Sequence, residues 1–480
     1  MAYQDLTDFI SHLESVGQLK RIKTEVDPEL EISEIADRVV KTAGPALLFE
    51  RVKGSDTQLF INAFGTEERV CSALGISCLD DLGKRFEQLL TSEPPSTNWE
   101  KFRFLWKLKD WAGYLPKMVT RARCKEVVLR EGFSLEKLPV LKCWPNDGGR
   151  FITLPLVFTK DPDTGRQNCG IYRMQVYDHK TTGMHWHPNK GAAQHFRRHQ
   201  ELGKPMEVAV ALAADPAVTF AAALPAPEGV DEMMIAGFLR QQAVKMVPAE
   251  TVGLNVPANA QIVLEGVVDP SQSRREGPFG DHTGYYSLSA QFPVFELQCI
   301  THQLNPIYQT TVVGRPPQED YFLGKAIERA MLPLIRFQFP EIKDIHMPFE
   351  GAFHNLLIVA IEKRYPGHAR KVIHGLWGLF QAAVTKVIVV VEEDQDIHDL
   401  GSLSFEVLNS IDPERDLEFV LGPVDILDHA SRLPMYGSKM GIDATRKWPE
   451  EGFTRRWPEK SKMSPHIREL VTNRWKEYGF

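Results

Sequence analysis

"NLLIVAIEKRYPGHARKVIHGLWGLFQAAVTKVIVVVEED", residues 355–394, is the stretch that sets the fold class. Two continuous apolar runs, at 356–361 and 387–391, flank a segment with helical spacing. A strand apolar on both faces suits a parallel sheet covered by helices on each side, so the stretch reads as strand–helix–strand. The chain beyond about 320 therefore predicts an α/β unit. It closes with "SPHIRELVTNRWKEYGF" (464–480), a helix opened by Ser464-Pro465.

Upstream the texture changes. Between about 125 and 315, "FITLPLVFTKD", "GIYRMQVYD", "MEVAVALA", "QIVLEGVV", "VFELQCITH" and "IYQTTVVG" read as strands spaced by Gly, Pro and Asp. They predict an antiparallel sheet or barrel, interrupted by a helix near 231–245. The first hundred residues mix helical patterns with short apolar runs such as "ALLFERV" (46–52) and "LFINAFG" (59–65). "TSEPPSTNWE" (91–100) has the composition of a linker. Three units are expected, at 1–115, 116–320 and 321–480, in a mixed α+β and α/β multidomain chain.

Bulk properties narrow the function. The 480 residues carry 43% hydrophobic and 25% charged residues, as ordinary globular proteins do. A net charge of −7 gives no global basic surface for duplex nucleic acid. The six cysteines are scattered without a C-x-x-C pair, which predicts buried reduced thiols. No run of 18 apolar residues occurs, and the N-terminus lacks a signal-peptide pattern. A cytoplasmic protein is expected, with peripheral association at the inner membrane left open. Common nucleotide-loop, metalloprotease and serine-hydrolase signatures are absent.

Chemistry concentrates in "NCGIYRMQVYDHKTTGMHWHPNK" (168–190) and "RREGPFGDHTGYY" (274–286). The first predicts a hairpin, with Ile171, Arg173 and Gln175 on one face and His185 and His187 on a face of the return strand. Two histidines at that spacing can ligate a metal, although alone they are more often a surface pair. Arg173 favours an anion, because its planar fork grips carboxylate or phosphate at two points. In the second stretch Glu276 and Asp281 flank Gly-Pro-Phe-Gly, a tight bend that brings carboxylates together or leaves them as turn acids. Burial of such a pair raises at least one, giving an acid able to deliver a proton at neutral pH. Glu232 reads as a helix N-terminal acid. "YGSKMGIDATRKW" (436–448), with Lys439 and Lys447 among glycines, could cradle a phosphate or be a plain loop.

Taken in order, "GPALLFE" and "FGTEERV", "NCGIYRMQ", "MHWHPNKGAA", "PAPEGVDEMMIAG", "EGPFGDHTGYY", "GHARKV" and "GSKMGIDATRKW" resemble the UbiD family of carboxy-lyases over nearly the whole chain. The branch they resemble most is that of the 4-hydroxy-3-polyprenylbenzoate decarboxylases of ubiquinone biosynthesis. The resemblance implies an N-terminal α/β domain, a central split β-barrel like that of flavin reductases, and a C-terminal α/β domain. It implies prenylated FMN from a flavin prenyltransferase of the UbiX type, with Mn2+ or another divalent metal and often K+. It also implies a homo-oligomer, dimer or hexamer, into which the last helix reaches.

By motif, Asn168 and Glu232 become metal ligands. Ile171, Tyr172, Arg173, His185, Trp186, His187, Lys190 and Gly191 line the cofactor, with Lys439 a weaker addition near its phosphate. Arg173, Glu276 and Asp281 form the acid–base network, with Asp281 as proton donor. The family pattern W-x-x-H-[KR] is broken here by Asn189 in the histidine position, which puts metal affinity in question. The implied reaction is non-oxidative decarboxylation of an aromatic, polyprenylated hydroxybenzoate in quinone biosynthesis. The alternatives are another aryl acid, such as dihydroxynaphthoate in menaquinone biosynthesis or a phenolic acid, and a non-catalytic flavin-binding or assembly protein.

Overall fold

A computed structural model describes residues 3–90, 112–187, 191–226, 229–352 and 354–480. The expected linker at 91–100 lies outside them, as do Asn189 and Lys190.

The strand–helix–strand unit forms as its pattern predicts. Strands Leu356–Ile361 and Val387–Glu392 pair in parallel, with helix His368–Trp377 between them in sequence. The strand Tyr436–Asp443 adds in parallel, and Ile342–His346 and Leu417–Pro423 cover the two edges antiparallel. Alternate strand residues explain the continuous apolar runs. Leu357, Val359 and Ile361 pack against Val372, Ile373 and Leu376 of the helix. Ile358, Ala360, Val389 and Val391 face Ile397 and Leu403 on the other side. Both faces are dry, so removal of apolar surface from water, at roughly 25 cal/mol per Å2, acts twice on each strand.

The central sheet has nine strands among the described residues and curls into a half-barrel. Its axis is a long hairpin, Ile262–Glu276 paired antiparallel with Ala290–His302. Register shifts at Glu265/Gly266 and Val268/Ser273 bend it. At the first bulge a Cβ on Gly266 would lie 2.0 Å from the Glu296 carbonyl, so glycine is required there. Helix Glu232–Arg240 interrupts the strands within the predicted 231–245, and helix Pro216–Ala223 adds a second interruption that the pattern did not predict.

One strand departs from expectation. Ile307–Gln309, read above with the central strands, pairs in parallel with Gln58–Ile61 in the N-terminal sheet. That sheet orders Leu19–Ile22, Ala46–Phe49, Gln58–Ile61 and Ile307–Gln309. Its apolar pattern could not tell which sheet it would join, because both offered an open edge. The cysteine reading holds for five thiols, all buried, whereas Cys78 is exposed. Among the described residues no helix is long and apolar enough to cross a membrane.

A buried carboxylate ties the sheets together. Glu319 opens helix Glu319–Gln338 and accepts from the Asn62 and Phe64 N–H groups, each at 3.0 Å. Arg69, fully buried, donates to the Asn62 carbonyl at 3.1 Å and lends its charge to Glu319. Replacing Glu319 by Ala strands two buried donors, at about 1–3 kcal/mol each. The expected outcome is a lower thermal midpoint with faster hydrogen exchange across 46–64. Unchanged exchange in those peptides would show that the carboxylate does not hold the N-terminal sheet.

Candidate active site

The long hairpin ends in the segment 277–289, which carries the Gly-Pro-Phe-Gly-Asp motif. A second loop grips this tip. Asp147 accepts from the Gly280 N–H at 2.8 Å with one oxygen, and from Cys143 and Trp144 at 3.1 and 2.9 Å with the other. Gln175 accepts from the Gly277 N–H and donates to the Gly148 carbonyl, both at 2.8 Å. A Cβ on Gly280 would fall 2.1 Å from the Trp144 ring, so only glycine lets the loops close. Tyr286 and Ser287 then turn back toward Phe279 and Gly280.

Arg173 lies where the predicted hairpin breaks. The first strand is two short pieces, Gln167–Ile171 and Met174–Val176, and the return strand stops at Gly183. His185 and His187 therefore follow a strand instead of sharing its face. The break frees Arg173 to reach the tip. Its Nε donates to Glu276 at 3.0 Å, Nη1 to Asp281 at 2.6 Å and Nη2 to Ser287 at 3.1 Å. The guanidinium also lies 4.5 Å from the Phe279 ring centroid. His185 closes the far side, with Nδ1 2.8 Å from Glu276 Oε2.

These contacts correct one expectation about charge. Burial does push the Asp281 carboxyl up, but the His282 hydrogen bond and charge, then Arg173, outweigh it. The group is held well below the usual carboxylate range. Glu276 is likewise lowered, since His185 and Arg173 overcome its burial. Two carboxylates alone would have raised one another; a histidine on each outer side, with the arginine between them, reverses the sign. His185 is lowered by burial despite Glu276.

The second cluster lies on the strand Gln167–Ile171 and the head of the helix Glu232–Arg240. One end of the Asn168 amide is 3.3 Å from Glu232 Oε1, and the other is 3.2 Å from the Cys169 N–H. Turned one way the amide donates to Glu232; turned the other, two oxygens converge where a cation would bind. Glu232 Oε2 accepts from Cys169 N at 3.0 Å, and burial pushes its carboxyl up to about 7. A Cβ on Gly191 would sit 2.4 Å from Asn168 Oδ1, so Gly191 is an approach point. The Tyr172 phenol hydrogen-bonds Asn168 and the Ala192 backbone, and burial raises it to about 12. Trp186 is buried with its Nε1 lacking a partner among the described residues. Oxygen donors from an amide and a carboxylate suit a hard divalent cation. No group of three His, Cys, Asp or Glu among the described residues could hold a metal.

Arg173 and His185 thus meet at the hairpin tip, with the His187 ring 4.8 Å from that of His185, and Tyr172 joins Asn168; Ile171 packs on the core beside them in sequence, and Lys190 lies outside the described residues. Lys439 does not belong with them. It is buried in the C-terminal sheet, donating to the Ala383 carbonyl over the Trp377 ring, and burial lowers it to about 8. Lys447 pairs with Asp443 at 2.8 Å. The glycines of that stretch serve packing, since a Cβ on Gly441 would meet Ile373 at 2.7 Å. Asp147, Ser287 and His282 have no counterpart among the sequence expectations, and Gln175 was placed there only on the strand face of Arg173. His282 is adjacent to Asp281 within the quoted motif, which was the one available signal.

Comparisons with known proteins agree with this layout. The family model for the 3-octaprenyl-4-hydroxybenzoate carboxy-lyase N-terminal domain matches residues 10–86, the Rift-related domain matches 117–316 and the C-terminal domain matches 321–444. An uncharacterised protein of Archaeoglobus fulgidus is 50% identical over 479 residues, covering 99% of each chain. The UbiD-class enzyme HmfF of Pelotomaculum thermopropionicum, solved with FMN, is 29% identical with a TM-score of 0.80, covering 98% of this chain and 100% of its own. The closed form of vanillic acid decarboxylase from Sedimentibacter hydroxybenzoicus is 26% identical with a TM-score of 0.86, covering 100% of this chain and 98% of its own.

Breaking a buried ion pair from one side costs about 3–5 kcal/mol, so Arg173→Leu should be strongly destabilised at pH 7. Asp281 and Glu276 have depressed folded-state values. Their stabilisation is present above the unfolded carboxylate value near 4 and is lost only as pH falls through the folded values. In the variant those values rise, so its deficit in unfolding midpoint should narrow between pH 7 and pH 5. An equal deficit at both would mean that the charges are not what Arg173 balances.

Proposed function

The chain belongs to the UbiD family of carboxy-lyases, and on that premise we propose that it decarboxylates an aromatic carboxylic acid using prenylated FMN. The observation that carries the reading is Arg173 held between two buried carboxylates, beside the Asn168–Glu232 oxygen pair. When bound, the prenylated flavin supplies an electron sink for the bond that breaks as CO2 leaves.

The residues of this chain have the remaining tasks. Arg173 orients the substrate carboxylate, which competes with Asp281 for the guanidinium. As that hold weakens in a site closed to water, Asp281 rises toward protonation and can donate to the ring carbon. Glu276, backed by His185, keeps Arg173 in place. Asn168 and Glu232 would hold a divalent cation, Mn2+ among the candidates with K+ accompanying it, which would neutralise the cofactor phosphate. Ile171, Tyr172, His185, Trp186, His187 and Gly191 would line the cofactor, and the sequence motif assigns Lys190 the same role.

A polyprenylated 4-hydroxybenzoate of quinone biosynthesis is the proposed substrate, in keeping with the matched family description. A second reading, a phenolic acid without a prenyl tail, draws on the likeness to vanillic acid decarboxylase. A flavin prenyltransferase would be the supplying partner. The terminal helix Pro465–Asn473 buries no residue, and Leu470, Trp475 and Phe480 are exposed, which supports its contact with a neighbouring copy in a homo-oligomer.

Co-expression with a flavin prenyltransferase should give a protein carrying a cofactor of prenylated-FMN mass that releases CO2 from an aryl acid panel. Asp281→Asn should abolish that release while retaining the cofactor; sustained turnover would remove Asp281 from the donor role. Gly191→Ala, which pushes on Asn168, should weaken Mn2+ binding by tenfold or more in calorimetry. Undiminished affinity would place the cation elsewhere.

A further inference from the structure

Loss of CO2 from a carboxylate consumes one proton per turnover, RCOO− + H+ → RH + CO2. On the reading above that proton leaves Asp281, which must then be refilled. Asp281 is only 5% exposed, and Arg173 does not release protons in proteins. The other neighbour of its carboxylate is His282, whose Nδ1 lies 3.0 Å from Asp281 Oδ1. The His282 backbone N–H fixes the same oxygen at 2.9 Å.

Beyond His282 the contacts lead out of the central sheet. The His354 ring meets the His282 ring edge to face, with centroids 4.9 Å apart and planes at 87°. His354 precedes the C-terminal strand Leu356–Ile361, and its Nε2 is 3.7 Å from Asp425 Oδ1. The Asp425 side chain is 28% exposed. Asp320, in the first turn of the helix Glu319–Gln338, also acts on His282. A line of titratable groups therefore runs from the buried donor to the protein surface.

We propose that His282 reprotonates Asp281 in every turnover, and that His354 and Asp425 bring the replacement proton in from solvent. As Asp281 delivers its proton to the substrate carbon it becomes a carboxylate. The Nδ1–H bond of the His282 imidazolium then breaks as the Asp281 Oδ1–H bond forms, leaving a neutral imidazole. One solvent proton, arriving by way of Asp425 and His354, restores the imidazolium, so one proton enters for each CO2 that leaves. The charge states fit this direction of flow. Burial opposes the His282 cation, but the hydrogen bond and charge of Asp281, with Asp320 and Asp425, raise it above an ordinary histidine. His354 is lowered by burial and by the His282 charge, so it stands neutral beside a cation.

His282 acts through Asp281, so the test separates proton supply from positioning. His282→Asn keeps a side-chain N–H toward Asp281 but has no proton to give. In the cofactor-loaded variant, steady-state kcat should fall tenfold or more while KM for the aryl acid stays within twofold of wild type. The wild-type loss of rate as pH rises through the His282 titration should disappear. His354→Phe, which keeps the ring packing, should slow steady-state turnover in the same sense. A His282→Asn enzyme with wild-type kcat and pH profile would overturn the proposal. Independently of turnover, 15N-histidine NMR of the protein should find His282 as imidazolium at pH 7, with Asp281→Asn lowering its titration. A neutral His282 at pH 7 would also overturn the relay. Wild type that releases no CO2 from any aryl acid would refute the decarboxylase reading, and the NMR result would still decide the relay.

Discussion

A guanidinium buried between two carboxylates is the constraint around which the rest of this structure is arranged. Taking Arg173, Glu276 and Asp281 out of water carries a desolvation cost of several kcal/mol per ion, offset only when geometry and hydrogen bonding are nearly complete. Each nearby feature contributes to that completeness. The strand break at Tyr172–Arg173 turns the arginine inward, and Ser287 takes the Nη2 hydrogen that neither carboxylate accepts. His185 and His282 add donors on the outer sides of Glu276 and Asp281. Asp147 and Gln175 fix the loop on which Asp281 rides. Even the glycines at 277 and 280 belong to this constraint, the first at φ +87° and the second with no room for a side chain against Trp144.

The legible part of the sequence was the part governed by local periodicity. Continuous apolar runs at 356–361 and 387–391 foretold a sheet buried on both faces, because no alternative burial satisfies every residue in them. The ordered motifs foretold which stretches would meet. What stayed hidden depends on contacts distant in sequence. Ile307–Gln309 is as strand-like as its neighbours, and only the edge offered by Gln58–Ile61 decides its sheet. Lys439 among glycines resembled a phosphate loop, yet the glycines answer to Ile373 and the lysine to Ala383 and Trp377. The expectation of a raised carboxyl failed for the same reason, since it counted two acids and could not place His185 and His282 beside them and Arg173 between them.

The two carboxylate sites differ in a way that bears on function. Glu232 is approached by backbone N–H groups and an amide, and burial lifts it to about 7. Asp281 is equally buried, but His282 and Arg173 drive it the other way. One fold thus places, at the head of a helix and on a hairpin tip, an acid whose charge would be stabilised by a cation and an acid whose charge is already over-compensated. A flavin phosphate with its metal at the first and a substrate carboxylate at the second would each relieve the imbalance it meets. That complementarity is local and does not depend on the identity of the aromatic ring.

It also explains why the proton chemistry should involve more than the central sheet. On the proposed reading Arg173 and His282 hold Asp281 as a carboxylate until a competing anion arrives, so the donor carries its proton only while substrate is in place. A device of that kind needs a proton source that is itself cationic, close by and connected to solvent. His282, raised above an ordinary histidine by Asp281, lies close by in the hairpin tip, and on the proposed reading His354 and Asp425, in the C-terminal part of the chain, connect it to solvent. The packing of the C-terminal sheet against the hairpin tip therefore does more than bury surface: on the proposed reading it completes the path by which the donor is refilled, and movement of one against the other would interrupt it.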